Sequence, residues 1–399
     1  MDKEFVTIVL DKFNKVLFIL ILLELFLGGG GRMVELGFLT LRMILFFTVL
    51  AINIPIFLLT KKIKKYTFDL LILFALPLLF SFIVGIRNGA KLSMIFEDIK
   101  PLSYFFSFIF FYININKLSD IQNIIKIIKI SSIIMALLYI IAYISINCNL
   151  INYSNFYTKL SEYGEFAFRG KQAFFYKGFL FMCIGFFFYF NENKYSSKFI
   201  AAIIFIAIIL TFMRGFIISL ILTYTIYMLF IKKITSTRII LSILMVGFLL
   251  SILSYFQTQK IGNKVESNNV RLITFKQVYE TTNLTDILIG HGFGIGVPVR
   301  EKHMEMSYLE IFYKQGIVGL LFWIYVFILT IKYYKNAIKN ESVKVATPLL
   351  LATFFVYLQS LTNPFINNPI GMSMIIISLI SLNILQQKSE NNLSLHTNI

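Results

Sequence analysis

Three arginines stand where they could bind an anion: Arg169, Arg214 and Arg271. Arg214 is the most informative, because it interrupts a long apolar stretch in the sequence Thr-Phe-Met-Arg-Gly. An arginine close to the depth of a lipid bilayer is costly and normally faces a cavity or a partner; the alternative is a turn residue whose side chain reaches the interface. For Arg169 and Arg271, an ordinary solvated loop charge explains the residue equally well. Guanidinium groups bind phosphate oxygens bidentately, so converging arginines would suit a pyrophosphate.

A second set of candidates lies between Arg300 and Gly316, at the start of a long apolar run. Glu305 and His303 stand at the mouth of this run, where partial desolvation would raise the pKa of a carboxyl group toward the working range of a general base. Glu305 and Gly316 are eleven residues apart, which is three helical turns and predicts that they share one helix face. Gly316 is expected to let a neighbouring helix approach closely.

Other chemistries have weak support in the sequence. The glycines of Gly290–Gly296 stand at every second position, which does not match a dinucleotide-binding loop and predicts a flexible turn that offers backbone N–H groups. The three histidines are scattered without carboxylates at ligand spacing, and the two cysteines, Cys148 and Cys183, cannot form a cysteine zinc site of their own. We therefore expect no metal and no cofactor.

The elements that must position these residues are membrane-spanning helices. Of the 399 residues, 58% are hydrophobic and only 14% are charged, too few to cover a water-facing globule. The mean hydropathy is +0.79. The net charge of +17 would suggest nucleic acid in a soluble protein, but basic residues collect in the cytoplasmic loops of any multi-span protein. The composition predicts an all-α polytopic membrane protein that binds no nucleic acid.

Twelve apolar runs are long enough, or nearly so, to cross the hydrocarbon core. Short lysine-dominated connections with twenty cations alternate with connections of a different character, and the positive-inside rule places the lysine-rich set and both termini in the cytoplasm. The first apolar run is expected to be an uncleaved signal anchor. The predicted spans are 13–31, 36–60, 67–86, 101–116, 130–148, 173–190, 198–213, 215–231, 238–256, 308–331, 345–361 and 369–385.

Two long connections are then external, 149–172 and 257–307, and the polar segment 386–399 is a cytoplasmic tail expected to be frayed. The second loop is too long for a passive connection. It carries apolar residues at helical spacing, which predicts a short helix on the outer surface. These residues are Leu272, Phe275, Val278 and Tyr279.

The order of several short motifs in the C-terminal half resembles that found in one family, the O-antigen polymerases and O-antigen ligases. These are polytopic enzymes that act on undecaprenyl-pyrophosphate-linked glycans. The resemblance covers about the last 230 residues, and the first 150 match only as hydrophobic spans. The pieces are Phe168-Arg169-Gly170, Thr211-Phe-Met-Arg214-Gly215, Val270-Arg271-Leu with Phe275, Ile289-Gly-His-Gly-Phe-Gly294, and Glu305-Met-Ser-Tyr-Leu-Glu-Ile-Phe-Tyr-Lys-Gln-Gly316-Ile-Val-Gly319.

The resemblance implies a site in which Arg214 and Arg271 hold the pyrophosphate of a lipid-linked donor and Glu305 orients or deprotonates the acceptor hydroxyl. Further substrate contacts are expected from Arg169, Lys171, His303 and Tyr308. The implied partners are an undecaprenyl-pyrophosphate-linked oligosaccharide, membrane lipid and, as a candidate, a chain-length regulator protein. The implied location is the bacterial cytoplasmic membrane.

The sequence departs from the ligases at one place. Ligases of this family usually carry a histidine eleven residues before the glycine that corresponds to Gly316, and here that place is Glu305, with His303 two residues earlier. The departure favours a polymerase and leaves His303 as a shifted substitute. A ligase is the first alternative. A flippase for the same lipid-linked unit is the second, disfavoured because charge within the spans is sparse and one outer loop is long.

Overall fold

The computed structural model describes residues 3–37, 39–59, 65–169, 173–232, 235–258, 264–340 and 342–396. Within these ranges the chain is almost entirely helical, with two short antiparallel hairpins. In chain order the elements of the first half are α1 (Lys3–Leu27), β1 (Glu35–Leu36), β2 (Leu39–Thr40), α2 (Leu41–Leu59), α3 (Lys65–Arg87), α4 (Leu92–Ser103), α5 (Phe108–Asn114), α6 (Leu118–Asn147), α7 (Tyr153–Ser161), β3 (Phe166–Arg169) and β4 (Ala173–Tyr176). The second half contains α8 (Phe179–Phe190), α9 (Tyr195–Leu210), α10 (Arg214–Ile226), α11 (Ser236–Thr258), α12 (Lys264–Thr281), α13 (Leu284–Ile289), α14 (Ser307–Ala337), α15 (Val343–Gln359) and α16 (Pro369–His396).

The prediction of an all-α polytopic membrane protein is confirmed. Among the described residues, six helical segments are long and apolar enough to cross a membrane, and four shorter apolar helices accompany them. Helices coincide with all twelve predicted runs for at least part of their length, while the number of spans and their orientation stay predictions. The six long segments are Thr67–Arg87, Leu118–Asn147, Arg214–Ile231, Ser236–Tyr255, Ser307–Ala337 and Pro369–Gln387.

The buried core forms around α16. This helix packs against α14 and α15, and α6 packs against α8 and α9. Small hydroxyl residues on α16 let the neighbouring backbones approach, and Ser378 donates to the carbonyl of Leu349 in α15 at 3.1 Å. At the periphery, α11 exposes apolar side chains such as Ile243 and Leu250, as expected for a helix that faces lipid.

The sixth predicted span is wrong over its first residues. Ala173–Tyr176 form a strand that pairs antiparallel with Phe166–Arg169, and the helix begins only at Phe179. A short apolar run rich in phenylalanine and tyrosine fits a strand as well as a helix, and apolar periodicity does not distinguish them. The predicted external loop 149–172 therefore contributes ordered structure, namely α7 and the strand β3.

The expected helix face shared by Glu305 and Gly316 is also wrong. Glu305 precedes α14, and Gly316 interrupts that helix with φ +65° and ψ −163°. A Cβ at Gly316 would lie 2.3 Å from the carbonyl oxygen of Leu288, so the glycine is required both by its backbone conformation and by the close approach of α13. The predicted close packing at Gly316 is confirmed, but its cause is a break in the helix.

The predicted helix in the 257–307 loop is confirmed as α12, and α13 follows it. Of the four apolar residues that carried the prediction, Val278 is buried and the other three are exposed. The predicted tail continues α16 as far as His396. The start of α14 is fixed to the turn after α15, because Ser307 N–H donates to Ser360 O at 3.1 Å. As a result α12, α13, the start of α14 and the 360–369 turn meet at one end of the bundle.

Candidate active site

Two arginines share one carboxylate at this end of the bundle. Arg271 Nε, on α12, lies 2.9 Å from Glu305 Oε2, and Arg300 Nη2 lies 2.6 Å from Glu305 Oε1. All three side chains are about one third exposed, so water or a ligand can reach them. Arg271 Nη2 also approaches the carbonyl oxygen of Thr362 at 3.5 Å, at the long limit for a hydrogen bond.

The sequence reasoning missed Arg300. The residue begins the segment that carries Glu305, but an arginine in a polar loop has the same appearance as a solvated charge. Its position is set by a bridge between Val297 and Arg300 that closes a tight turn. The sequence signal that could have found it is its closeness to Glu305, which follows five residues later.

The cluster is suited to exchange its carboxylate for another anion. Each guanidinium offers several donors in a planar fork, and Glu305 occupies only part of each. Each oxygen of Glu305 accepts from one arginine, so each keeps a second lone pair for a further donor. The two arginines and Glu305 together carry a net positive charge, which favours a ligand with more than one negative charge.

Arg214 precedes a glycine that packs near Thr362. It is the first residue of α10, after a three-residue turn in which Phe212 adopts a left-handed φ of +53°. A Cβ at Gly215 would lie 3.4 Å from Thr362 Oγ1, so the start of α10 packs against the residue whose carbonyl Arg271 approaches. The predicted tight turn is confirmed. Among the residues that the structure describes, half-buried Arg214 has no ion-pair partner.

The remaining predicted contacts are distributed as follows. Arg169 pairs through its backbone with Ala173 at the end of the β3–β4 hairpin, and its side chain lies outside what the structure describes. Lys171 lies outside the described residues. Tyr308 uses its hydroxyl to donate to the carbonyl oxygen of Tyr357 at 2.8 Å, which joins α14 to α15.

His303 belongs to a second cluster that the sequence reasoning missed. Its Nδ1 lies 3.4 Å from Glu310 Oε1 and 3.7 Å from Asp98 Oδ1. Lys314 Nζ lies between the same carboxylates, at 2.6 Å from Asp98 and 2.8 Å from Glu310. The pairing of Lys314 with Asp98 joins α14 to α4 across 216 residues of sequence, a distance over which spacing gives no signal.

Burial raises the pKa of Asp98 above its ordinary value, while the ammonium of Lys314 and the N–H of Gly294 oppose this shift. Asp98, His303 and Glu310 offer ligand atoms within 4.8 Å of one another, so the expectation that the histidines lack nearby carboxylates is wrong. These donors do not fit a resident metal well, because the ammonium of Lys314 already stands between the two carboxylates and supplies the neutralising charge.

The glycine-rich turn after α13 is a packed structural element. Its backbone N–H groups are used internally: Gly292 donates to Lys314 O at 3.1 Å, Phe293 to Ser81 O at 2.9 Å and Gly294 to Asp98 Oδ2 at 2.7 Å. The hypothesis that this turn is flexible and offers N–H groups to a ligand is therefore wrong.

A cavity of about 390 Å³ opens beside the arginine–glutamate cluster. His303, Glu310 and Lys314 line one side of it, and Asn363 and Asn367 line another. Ser307, which directly follows the Glu305-Met306 pair, donates to the carbonyl oxygen of Asn363 at 2.9 Å. The cluster and the cavity are thus separated by little more than these two chain segments.

Comparison with known proteins identifies the family. No protein-family model matches the chain. The chain is 31% identical over 373 residues to a protein of Shigella flexneri named O-antigen polymerase, and the alignment covers 92% of this chain and 94% of that protein. Similarity at this level over nearly the whole of both chains shows that this chain belongs to the O-antigen polymerase family.

Proposed function

We propose that this protein is a glycosyltransferase that joins undecaprenyl-pyrophosphate-linked oligosaccharide units into a polymer at the outer face of the bacterial cytoplasmic membrane. The observation that carries the proposal is the cluster in which Arg271 and Arg300 share Glu305 at 2.9 and 2.6 Å. It is an accessible, positively charged anion site beside a cavity, at the end of a bundle of apolar helices. Both the cluster and the cavity lie at the end of the bundle that the lysine distribution predicts to be external.

The donor pyrophosphate binds to the arginines in this proposal. Arg271 and Arg300 offer their guanidinium forks, and Arg214, whose neighbour Gly215 packs near Thr362, adds a third cation that has no ion pair among the described residues. Arginine forks bind phosphate oxygens bidentately and stabilise the charge that develops as the pyrophosphate leaves. The positive charge comes from side chains, and no metal ion or cofactor enters the proposal.

Binding of the pyrophosphate prepares the base. The anion competes with Glu305 for Arg271 and Arg300, so it releases at least one carboxylate oxygen. Glu305 then orients the acceptor hydroxyl and accepts its proton as the hydroxyl oxygen attacks the anomeric carbon. The bond between the anomeric carbon and the pyrophosphate oxygen breaks, and undecaprenyl pyrophosphate leaves with the electron pair. His303, two residues away and half exposed, is the alternative proton acceptor.

The remaining assignments belong to the same proposal. Arg169 and Lys171, at the β3–β4 hairpin, and Tyr308, at the start of α14, are expected to contact the glycan. The chain is expected to span the membrane twelve times with both termini in the cytoplasm. A chain-length regulator protein is a candidate partner.

The test uses three variants expressed in a strain that lacks its own copy of the protein. Arg214→Ala and Glu305→Gln are expected to abolish long surface polymer. Arg87→Ala is the matched control, because Arg87 is an exposed arginine at the end of α3 that takes no part in the ion pairs of the cluster. If Arg214→Ala and Glu305→Gln both keep full polymer length at matched expression, the proposed site is wrong.

A further inference from the structure

The cavity beside the arginine–glutamate cluster has the features of a binding site in its own right. Its volume of about 390 Å³ lies within the range of small-molecule sites, about 300–1,000 Å³. None of Arg214, Arg271 and Glu305 lines it. The lining comes instead from the loop after α1, from the start of α2, from α4, from the β3–β4 hairpin and its flanks, from the 293–303 segment, from the outer part of α14 and from the 363–370 segment.

Gln315 provides the strongest indication that the cavity binds a ligand. It lines the cavity and is only 6% exposed, yet its amide has no hydrogen-bond partner among the residues that the structure describes. Gln315 is the last residue before the break at Gly316, so the break fixes where this part of α14 ends. A ligand with hydroxyl or amide groups would satisfy it.

Arg42 provides a second unsatisfied donor in the wall of the cavity. It is 5% exposed, and it pairs with Glu24 at 2.7 Å and with the carbonyl oxygen of Gly29 at 2.7 Å. Its Nη1 is buried and has no partner among the described residues. Two nearly buried polar side chains with unused donors, on helices far apart in sequence, therefore belong to the lining of one cavity.

The charges of the lining favour an uncharged ligand. Lys314 lies between Asp98 and Glu310, and Arg42 is paired with Glu24. On the other side, Glu165 accepts from the backbone N–H of Gly30 and Arg32 and lies 4.0 Å from Lys177 Nζ. The positive and negative charges of the lining are equal in number when Glu24, the partner of Arg42, is counted with them. The cations are Arg32, Arg42, Lys177 and Lys314, and the carboxylates are Asp98, Glu165, Glu310 and Glu24.

The apolar part of the lining is aromatic. Phe175, Phe293 and Phe365 are all buried and line the cavity. Half-buried Asn363 and Asn367 line it as well. The amide of Asn367 already donates to Glu310 and accepts from Ser307, whereas Asn363 donates to Thr362 Oγ1 and keeps its side-chain oxygen as an acceptor for a hydroxyl group. Aromatic rings pack against the C–H faces of a sugar ring, and amides and paired carboxylates form hydrogen bonds with its hydroxyl or acetamido groups. The lining offers both kinds of contact.

We propose that this cavity binds one uncharged sugar ring of the oligosaccharide unit, a hexose or an N-acetylhexosamine, through Gln315, Asn363 and the wall that contains Arg42. The inference rests on the proposed function and adds to it a glycan subsite separate from the pyrophosphate site. The two sites adjoin at the 362–363 segment, where Arg271 approaches Thr362 and Asn363 enters the cavity lining.

The test measures binding of the repeat-unit oligosaccharide after removal of its lipid and pyrophosphate, with the full-length protein in detergent or lipid nanodiscs. Gln315→Leu keeps the volume and removes the amide, and Asn363→Ala removes an amide on another element; each is expected to weaken binding about tenfold. Gln359→Leu is the matched control, because Gln359 is a fully buried amide without a partner among the described residues that does not line the cavity. Thermal unfolding of all three variants separates a loss of fold from a loss of binding.

Two truncated oligosaccharides identify which end of the unit is bound. If removal of the non-reducing terminal sugar abolishes binding, the cavity holds the acceptor end; if removal of the reducing-end sugar abolishes it, the cavity holds the donor end. Folded Gln315→Leu and Asn363→Ala proteins that bind the oligosaccharide as tightly as wild type would overturn the inference. Its failure is distinct from failure of the proposed function, because Arg271→Ala is expected to retain binding of this pyrophosphate-free probe while losing polymerisation.

Discussion

Arg271 Nε donates to Glu305 Oε2 at 2.9 Å, and this contact joins α12 to the segment that leads into α14. Arg300 engages the other oxygen of the same carboxylate. In the proposed mechanism an anion that binds Arg271 competes with Glu305 for the guanidinium, so binding of the anion and release of the carboxylate are coupled.

The coupling predicts opposite effects of one substitution on binding and on catalysis. Glu305→Gln removes the competing charge and keeps the shape, so inorganic pyrophosphate should bind more tightly to the variant than to wild type. The rate of polymerisation should nevertheless fall about 100-fold or more, because the proposed base is lost. Isothermal titration with pyrophosphate and an assay with lipid-linked units measure the two effects. Weaker pyrophosphate binding by a folded Glu305→Gln protein would contradict the coupling.

The arginines should contribute to anion binding individually. Arg271→Ala and Arg300→Ala should each weaken pyrophosphate binding and slow polymerisation about 100-fold, the scale observed when one charge-stabilising donor is removed from a reaction centre. Lysine at position 300 should restore only part of the loss, since it cannot bind bidentately. Arg87→Ala should leave both quantities unchanged. If Arg300→Ala is as active as wild type, Arg300 is not part of the site.

The buried lysine should be important for stability. Lys314 is 3% exposed and lies between Asp98 and Glu310, so Lys314→Met leaves two buried carboxylates without their cation and should destabilise the fold by about 3–5 kcal/mol. Lys276→Met is the matched control, because Lys276 pairs with Glu280 at 3.7 Å on the exposed face of α12 and such pairs contribute about 0.2–0.5 kcal/mol. Thermal unfolding in detergent compares them. If the Lys314→Met and Lys276→Met proteins unfold at the same temperature, the ion pairs of Lys314 with Asp98 and Glu310 make no net contribution to stability.

The helix break should tolerate no side chain. Gly316→Ala places a Cβ 2.3 Å from Leu288 O at a left-handed φ, and we expect a loss of at least about 1–3 kcal/mol with displacement of α13. Gly247→Ala, in the middle of α11 with nothing within 4 Å of its Cβ, should stabilise by about 0.5–1 kcal/mol. The two alanine variants should therefore shift the unfolding temperature in opposite directions. A Gly316→Ala protein as stable as wild type would contradict the required break.

Sequence reasoning succeeded where a residue conflicts with its surroundings. Arg214 within an apolar stretch predicted a turn, and α10 begins at that residue. Apolar residues at helical spacing predicted α12. Glu305 and Arg271 were both chosen as candidates, although their pairing across 34 residues was beyond what spacing can show.

Sequence reasoning failed where contacts between residues distant in the chain determine the local structure. Asp98 has no local feature that distinguishes it from a solvated helix charge, and only its contact with Lys314 identifies it. The helical pattern on both sides of Gly316 is the same, so the positive φ that breaks α14 has no sequence signal except the glycine itself. The strand at Ala173–Tyr176 is equally ambiguous, because its pairing partner decides between strand and helix.

The most direct test of the central claim is a gel of surface glycan from a strain in which the protein is deleted, with lipid-linked intermediates extracted in parallel. We predict that the ladder of long chains is lost and that a single repeat unit remains attached to the final acceptor. Long polymer that accumulates on the lipid carrier would instead indicate a ligase. Single lipid-linked units retained on the cytoplasmic side would indicate a flippase and would contradict the account.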